Sequence, residues 1–130
     1  MLDLTPGSVH HGFRVVRNGE VPLLNTHYTK LVHEVTGATL YYTDRDDGQM
    51  IFSVGFRTLP EDDTGVFHIL EHSCLDGSSH YPLKEPFVNL IKTSMAVDLN
   101  AMTYEDKTIY YFISTNNTLP NTNIRVVYRR

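Results

Sequence analysis

The chain has 130 residues, 41% hydrophobic and 20% charged, enough apolar material for one folded domain and far from the composition of a disordered or low-complexity protein. Eleven Lys and Arg stand against fifteen Asp and Glu, a net charge of −4, which removes the basic footprint of a nucleic-acid binder. One cysteine, Cys74, excludes an internal disulfide framework and a multi-thiolate metal cluster, and no apolar run reaches the roughly 18 residues of a membrane span, so neither nucleic acid nor membrane is expected as a partner.

Taken in order, the chain starts Met1-Leu2-Asp3-Leu4, without the basic and apolar segments of a signal peptide and too acidic for an organellar transit peptide. Together with the lone cysteine, which suits a reducing compartment, this predicts a cytoplasmic protein. Strands are predicted at Phe13–Val16, Lys30–Val35, Ala38–Thr43 and Met50–Phe56, the last three joined by short turns as an antiparallel meander with one face to be covered. Asp62, Asp63 and Thr64 ahead of Val66 read as helix-capping residues. Val66, Ile69 and Leu70 recur at helical spacing on one packing side, and Gly77 reads as the stop. A second short helix is expected from Pro86 through Ile91, followed by strands at Val97–Thr103 and Thr108–Ser114. The fold class expected is α+β, an antiparallel sheet with helices packed on one face.

Seven histidines are spread along the chain, and two of them stand in the sequence His68-Ile69-Leu70-Glu71-His72. Each helical residue advances about 100° around the axis, so His68 and His72 lie about 40° apart and Glu71 about 60° to one side: one face carries all three. Two imidazoles one turn apart can reach a single tetrahedral zinc ion at about 2.0–2.1 Å, and a carboxylate beside them can reach metal-bound water. Zinc brings the pKa of that water toward about 7, which lets a glutamate take its proton and later deliver it to a leaving amine. The spacing is the H-x-x-E-H signature of the inverzincins.

The surrounding sequence resembles a known family. Phe56-Arg57-Thr58-Leu59-Pro60, Thr64-Gly65-Val66-Phe67-His68-Ile69-Leu70-Glu71-His72-Ser73, Tyr81-Pro82-Leu83-Lys84-Glu85-Pro86-Phe87, Leu99-Asn100-Ala101-Met102-Thr103-Tyr104 and Asp106-Lys107-Thr108-Ile109-Tyr110 are similar, in that order, to the N-terminal catalytic domain of the pitrilysin/insulinase metallopeptidases. Within that family the pattern is nearest the presequence-protease subgroup. Weaker similarity reaches back to Gly12-Phe13, so that about residues 12–116 are covered. The resemblance implies zinc as cofactor, His68 and His72 as its ligands, Glu71 as the base that activates water, and Asn100-Ala101 on an edge strand that holds an extended peptide substrate by main-chain hydrogen bonds. It also implies unfolded peptides as substrates.

Two departures qualify the expectation. Ser73-Cys74-Leu75-Asp76 follows the motif where the family commonly has Ser-Val-Leu-Cys, so Cys74 is read as a small buried residue. The family's third zinc ligand, a glutamate on a later helix, has no counterpart among the 58 residues after His72, where Glu105 is the last glutamate and Asp106 the last acid, both between strands. The organisation expected is a partial peptidase domain over residues 1–116 and an atypical tail over 117–130, as in a truncated or frame-shifted product that self-associates or lacks downstream domains of the same enzyme. The alternative function is a non-catalytic peptide-binding or assembly module.

Overall fold

The computed structural model describes residues 4–44, 48–77 and 96–115. It is α+β, with two antiparallel sheets and one helix among those residues. The chain divides into two compact units, residues 1–47 and 48–130.

In the first unit, strands β1 (Val9–His10), β2 (Phe13–Val21), β3 (Thr26–His33) and β4 (Thr39–Asp44) form a sheet in sequence order. Strand β2 runs five residues past the predicted stretch, because a bulge between Val15 and Arg17 lets it continue against β3. A single 3-10 turn, Pro22–Leu24, then reverses the chain, closed by Asn25 in the left-handed region. The inward side is small, with Val15 opposite Leu31 and Thr29 buried nearby. Gly19 faces Tyr28 across the ladder, and a Cβ there would sit 2.6 Å from the tyrosine ring, so the ring lies where only glycine leaves room.

In the second unit, β5 (Met50–Arg57), β6 (Ala96–Thr103) and β7 (Lys107–Ser114) form a sheet in the order β5-β7-β6. The predicted meander is therefore corrected: β3 and β4 pair as expected, but β5 leaves them and pairs with β7, more than fifty residues later. Turn signals between neighbouring segments carry no information about such a long-range partner. Strand β7 alternates strictly, with Thr108, Tyr110, Phe112 and Ser114 buried. The register places Phe52, Phe112 and Leu99 in one row across the three strands and Val54, Tyr110 and Ala101 in the next. Phe52 and Phe112 stack with centroids 5.5 Å apart, and Phe56 meets Tyr110 edge-on at 6.2 Å.

Helix α1 (Val66–Leu75) packs against β6. It begins where predicted, but its N-cap is Gly65 in the left-handed region (φ 70°, ψ 21°) with no side-chain cap. Asp62 is engaged one turn earlier, accepting hydrogen bonds from the Thr64 backbone N–H and hydroxyl. Aspartate two residues before a backbone N–H makes an Asx turn from the same residue types that make an N-cap, which is why the sequence could not separate them. Those hydrogen bonds lower the Asp62 carboxyl below its usual pKa, the Thr64 side-chain bond contributing most. The helix ends at Leu75 with Asp76 as its C-cap, the N–H of Asp76 bonding to the His72 carbonyl at 3.1 Å, so that Gly77 stands directly past the end, where the stop was expected. The predicted packing side is also wrong: Val66, Ile69 and Leu70 are exposed, and the buried residue of α1 is Glu71. Cys74 is half-buried rather than buried. The predicted helix at Pro86–Ile91 lies outside the described residues.

Candidate metal and peptide site

His68 and His72 project from the exposed side of α1 one turn apart. Their rings lie 4.9 Å apart between centroids, and the two Nε2 atoms approach to 3.2 Å. As a hydrogen bond this requires one ring to carry its proton on Nε2 and the other to present a lone pair. With both lone pairs turned inward, the same spacing is that of two ligands of one ion, since nitrogens at about 2.0–2.1 Å from a tetrahedral centre stand about 3.3–3.4 Å apart. The donor set therefore fits zinc at two positions. Among the described residues, no group of three or more His, Cys, Asp or Glu side chains is placed to hold a metal.

Glu71 turns from the histidine side toward the sheet. It is 6% exposed, and its Oε2 accepts a hydrogen bond from the Thr103 hydroxyl at 2.6 Å. Thr103 ends β6 on the same pleat face as the buried Leu99 and Ala101, which puts it under the helix. The sequence does not announce this contact. The alternation Leu99, Ala101, Thr103 could have placed the threonine on the inward face, but nothing local links residue 103 to residue 71. Beside His68, a cleft of about 230 Å³ is lined by Pro60, Asp62, Val66, Phe67, Thr103 and Tyr104.

Asn100 and Ala101 lie in the middle of β6, which pairs with β7 on one side and, among the described residues, with no strand on the other. The Ala101 side chain is buried toward the helix, whereas Asn100 is exposed on the opposite pleat face. The Asn100 Oδ1 accepts from the Ala101 N–H at 2.9 Å, so that edge donor has a local partner. On the Asn100 face, the Tyr111 hydroxyl donates to Asp98 at 3.0 Å, and this bond to a carboxylate is the main reason its pKa is raised above the usual phenol value. The structure thus brings the two histidines together on the exposed side of the helix, turns Glu71 toward the sheet rather than onto the face expected for all three, and sets Asn100 and Ala101 on the strand the helix covers.

Comparison with known proteins adds an independent line. A 122-residue stretch is 45% identical to the mitochondrial presequence protease of Schizosaccharomyces pombe, covering 94% of this chain and 12% of that protein. The mitochondrial presequence protease of Saccharomyces cerevisiae is 45% identical over 122 residues, and that of Xenopus laevis 43% identical over 127 residues. In each case the chain spans 12% of the relative's length. These relatives are mitochondrial proteins, which overturns the cytoplasmic expectation; the composition of the first residues and a single cysteine were too weak a basis for it. The family model described as Insulinase (Peptidase family M16) matches residues 43–122, which include the helix bearing His68, Glu71 and His72 and both strands of the β6–β7 hairpin. The chain therefore belongs to the insulinase family of peptidases, peptidase family M16, within the pitrilysin/insulinase group.

Proposed function

We propose that the chain is the N-terminal zinc-binding part of a metalloendopeptidase that hydrolyses unfolded peptides. The observation that carries this reading is the 3.2 Å approach of the His68 and His72 Nε2 atoms on the helix that also bears Glu71. His68 and His72 would hold the ion, and zinc bound there would supply Lewis acidity toward a carbonyl oxygen and toward water. Glu71 accepts a proton from the attacking water and returns it to the leaving amine. Strand β6 offers its outer edge at Asn100 and Ala101 to an extended peptide, whose carbonyl replaces the Asn100 Oδ1 as acceptor of the Ala101 N–H and which lays the scissile bond alongside the helix. The third ligand is assigned to polypeptide beyond these 130 residues, in keeping with a chain that spans 12% of the relatives it matches.

Glu71→Gln in the complete zinc-loaded protein tests the assignment. The expected result is loss of peptide hydrolysis by a factor of about 10²–10⁴ with zinc content unchanged. Normal hydrolysis by that variant would refute it. The second reading, a non-catalytic peptide-binding or assembly module, is favoured by one observation: only two candidate ligands converge among the described residues. Zinc analysis and a peptide-cleavage assay on the complete protein separate the two, since the module predicts peptide binding with no cleavage at any zinc loading.

A further inference from the structure

We propose that Thr103 is the positioning residue of the general base, its hydroxyl clamping one oxygen of Glu71 so that the other is presented to the nucleophilic water. The proposal rests on the reading of Glu71 as base. A carboxylate that is 6% exposed needs a donor, and Thr103 Oγ1 supplies one to Oε2 at 2.6 Å, within the short range of hydrogen bonds to ionised acceptors.

The clamp is itself held. Thr103 is the last residue of β6, directly before a tight turn in which the Tyr104 N–H bonds to the Lys107 carbonyl at 2.7 Å. It faces Thr108 across the ladder, and Thr108 is 3% exposed with its hydroxyl 2.9 Å from that of Thr58. The Thr58 N–H bonds in turn to the Asp106 carbonyl at 3.1 Å. Strand pairing, turn and hydroxyl pair thus fix the backbone from which Thr103 reaches up, and a β-branched side chain has few alternative rotamers there. The helix alone cannot do this. A glutamate on a ten-residue helix has three side-chain torsions, and its neighbours His68 and His72 are on the exposed side. With Oε2 committed to Thr103, the orientation of the carboxylate plane is set by the sheet, and the proton passes to Oε1.

The test uses the complete zinc-loaded protein with a fluorogenic peptide, comparing Thr103→Val, which keeps the shape and removes the hydroxyl, with Thr103→Ser, which keeps the hydroxyl. Thr103→Val is expected to lower kcat by about tenfold or more with KM and zinc content unchanged, because a base that is present but misoriented loses part of its contribution. Thr103→Ser is expected to restore kcat to within about threefold. A readout independent of turnover comes from crystal structures of the metal-free variants: Glu71 should leave residue 103 in the valine form and stay hydrogen-bonded in the serine form. If the valine variant fails to fold, Thr103→Ala takes its place in both measurements. Unchanged kcat in the valine or alanine variant, or a loss that serine does not rescue, overturns the proposal. Glu71→Gln is measured in parallel. If it abolishes hydrolysis while Thr103→Val does not, only the clamp fails; if it leaves hydrolysis intact, the base assignment fails with it.

Discussion

Phe112 is the side chain whose removal most directly tests the second sheet. It is 3% exposed in β7, the middle strand, with Phe52 opposite on one side and Leu99 on the other. Phe112→Ala removes the buried ring and the stack with Phe52, leaving a hole between Phe52 and Leu99. Loss of transfer energy plus the residual cavity costs about 3–5 kcal/mol for such a change. The aromatic pair, worth about 0.5–1.5 kcal/mol, is part of that figure rather than an addition to it. Against a domain stability of about 5–15 kcal/mol, the variant should lie close to its unfolding threshold. Phe112→Leu, which keeps most of the volume, should cost less than about 1.5 kcal/mol. Ile51→Ala is the control: it sits one residue from Phe52 on the other pleat face, 68% exposed, and should change stability by no more than about 0.5 kcal/mol. Urea unfolding gives the free energies. Amide hydrogen exchange locates them, because the loss should appear in β5, β6 and β7, which share this row. If Phe112→Ala costs no more than Ile51→Ala, the assignment of inward and outward faces in this sheet is wrong, and with it the placement of Thr103 under the helix.

Two further outcomes follow from the structure. Tyr111, held protonated by its hydrogen bond to Asp98, should ionise above 10.0 in a spectrophotometric titration, and Asp98→Asn should move it back toward 10.0, with Tyr111→Phe identifying the signal. The native state then binds the proton more tightly than the unfolded chain, so the stabilisation is complete below the unfolded pKa and is lost as pH rises through the folded one. Gly65, left-handed at φ 70° with no atom within 4 Å of a built Cβ, should tolerate alanine sterically, yet Gly65→Ala should cost about 1–2 kcal/mol in thermal or urea unfolding from backbone conformation alone; a neutral result would mean the helix can start another way.

What could be read from the sequence divides by range. The start of α1 and the shared side of His68 and His72 follow from the helical period, and the strands at 50–57 and 107–114 follow from their β-branched and aromatic runs. Strand β2 is only half legible, because Arg17, Asn18 and Gly19 break the alternation and it is the pairing with β3 that carries the strand past them. The partner of β5 is not legible, because proximity in sequence favours β4, while the fit in the structure is the row of Phe52, Phe112 and Leu99. The histidine pair was legible; the donor to Glu71 was not, since Glu71 and Thr103 meet only after the helix has settled on the sheet.

The helix also inverts the usual rule for choosing a buried face. An amphipathic helix covers a sheet with its apolar stripe, yet α1 leaves Ile69 64% exposed and buries a glutamate. Ten residues form a marginal helix by themselves, so α1 depends on its packing against β6. That packing sets Glu71 over Thr103, where an unsatisfied carboxylate would cost more than the about 1–3 kcal/mol of a neutral polar group. The hydroxyl offsets this, which makes the seating of the helix and the placement of the carboxylate one event. Turning the helix by one residue, about 100°, would bring Leu70 to the sheet and Glu71 to solvent, a gain in apolar burial that the observed structure forgoes. At this contact the hydrogen bond from Thr103 is what takes the place of the apolar burial that Leu70 would have given.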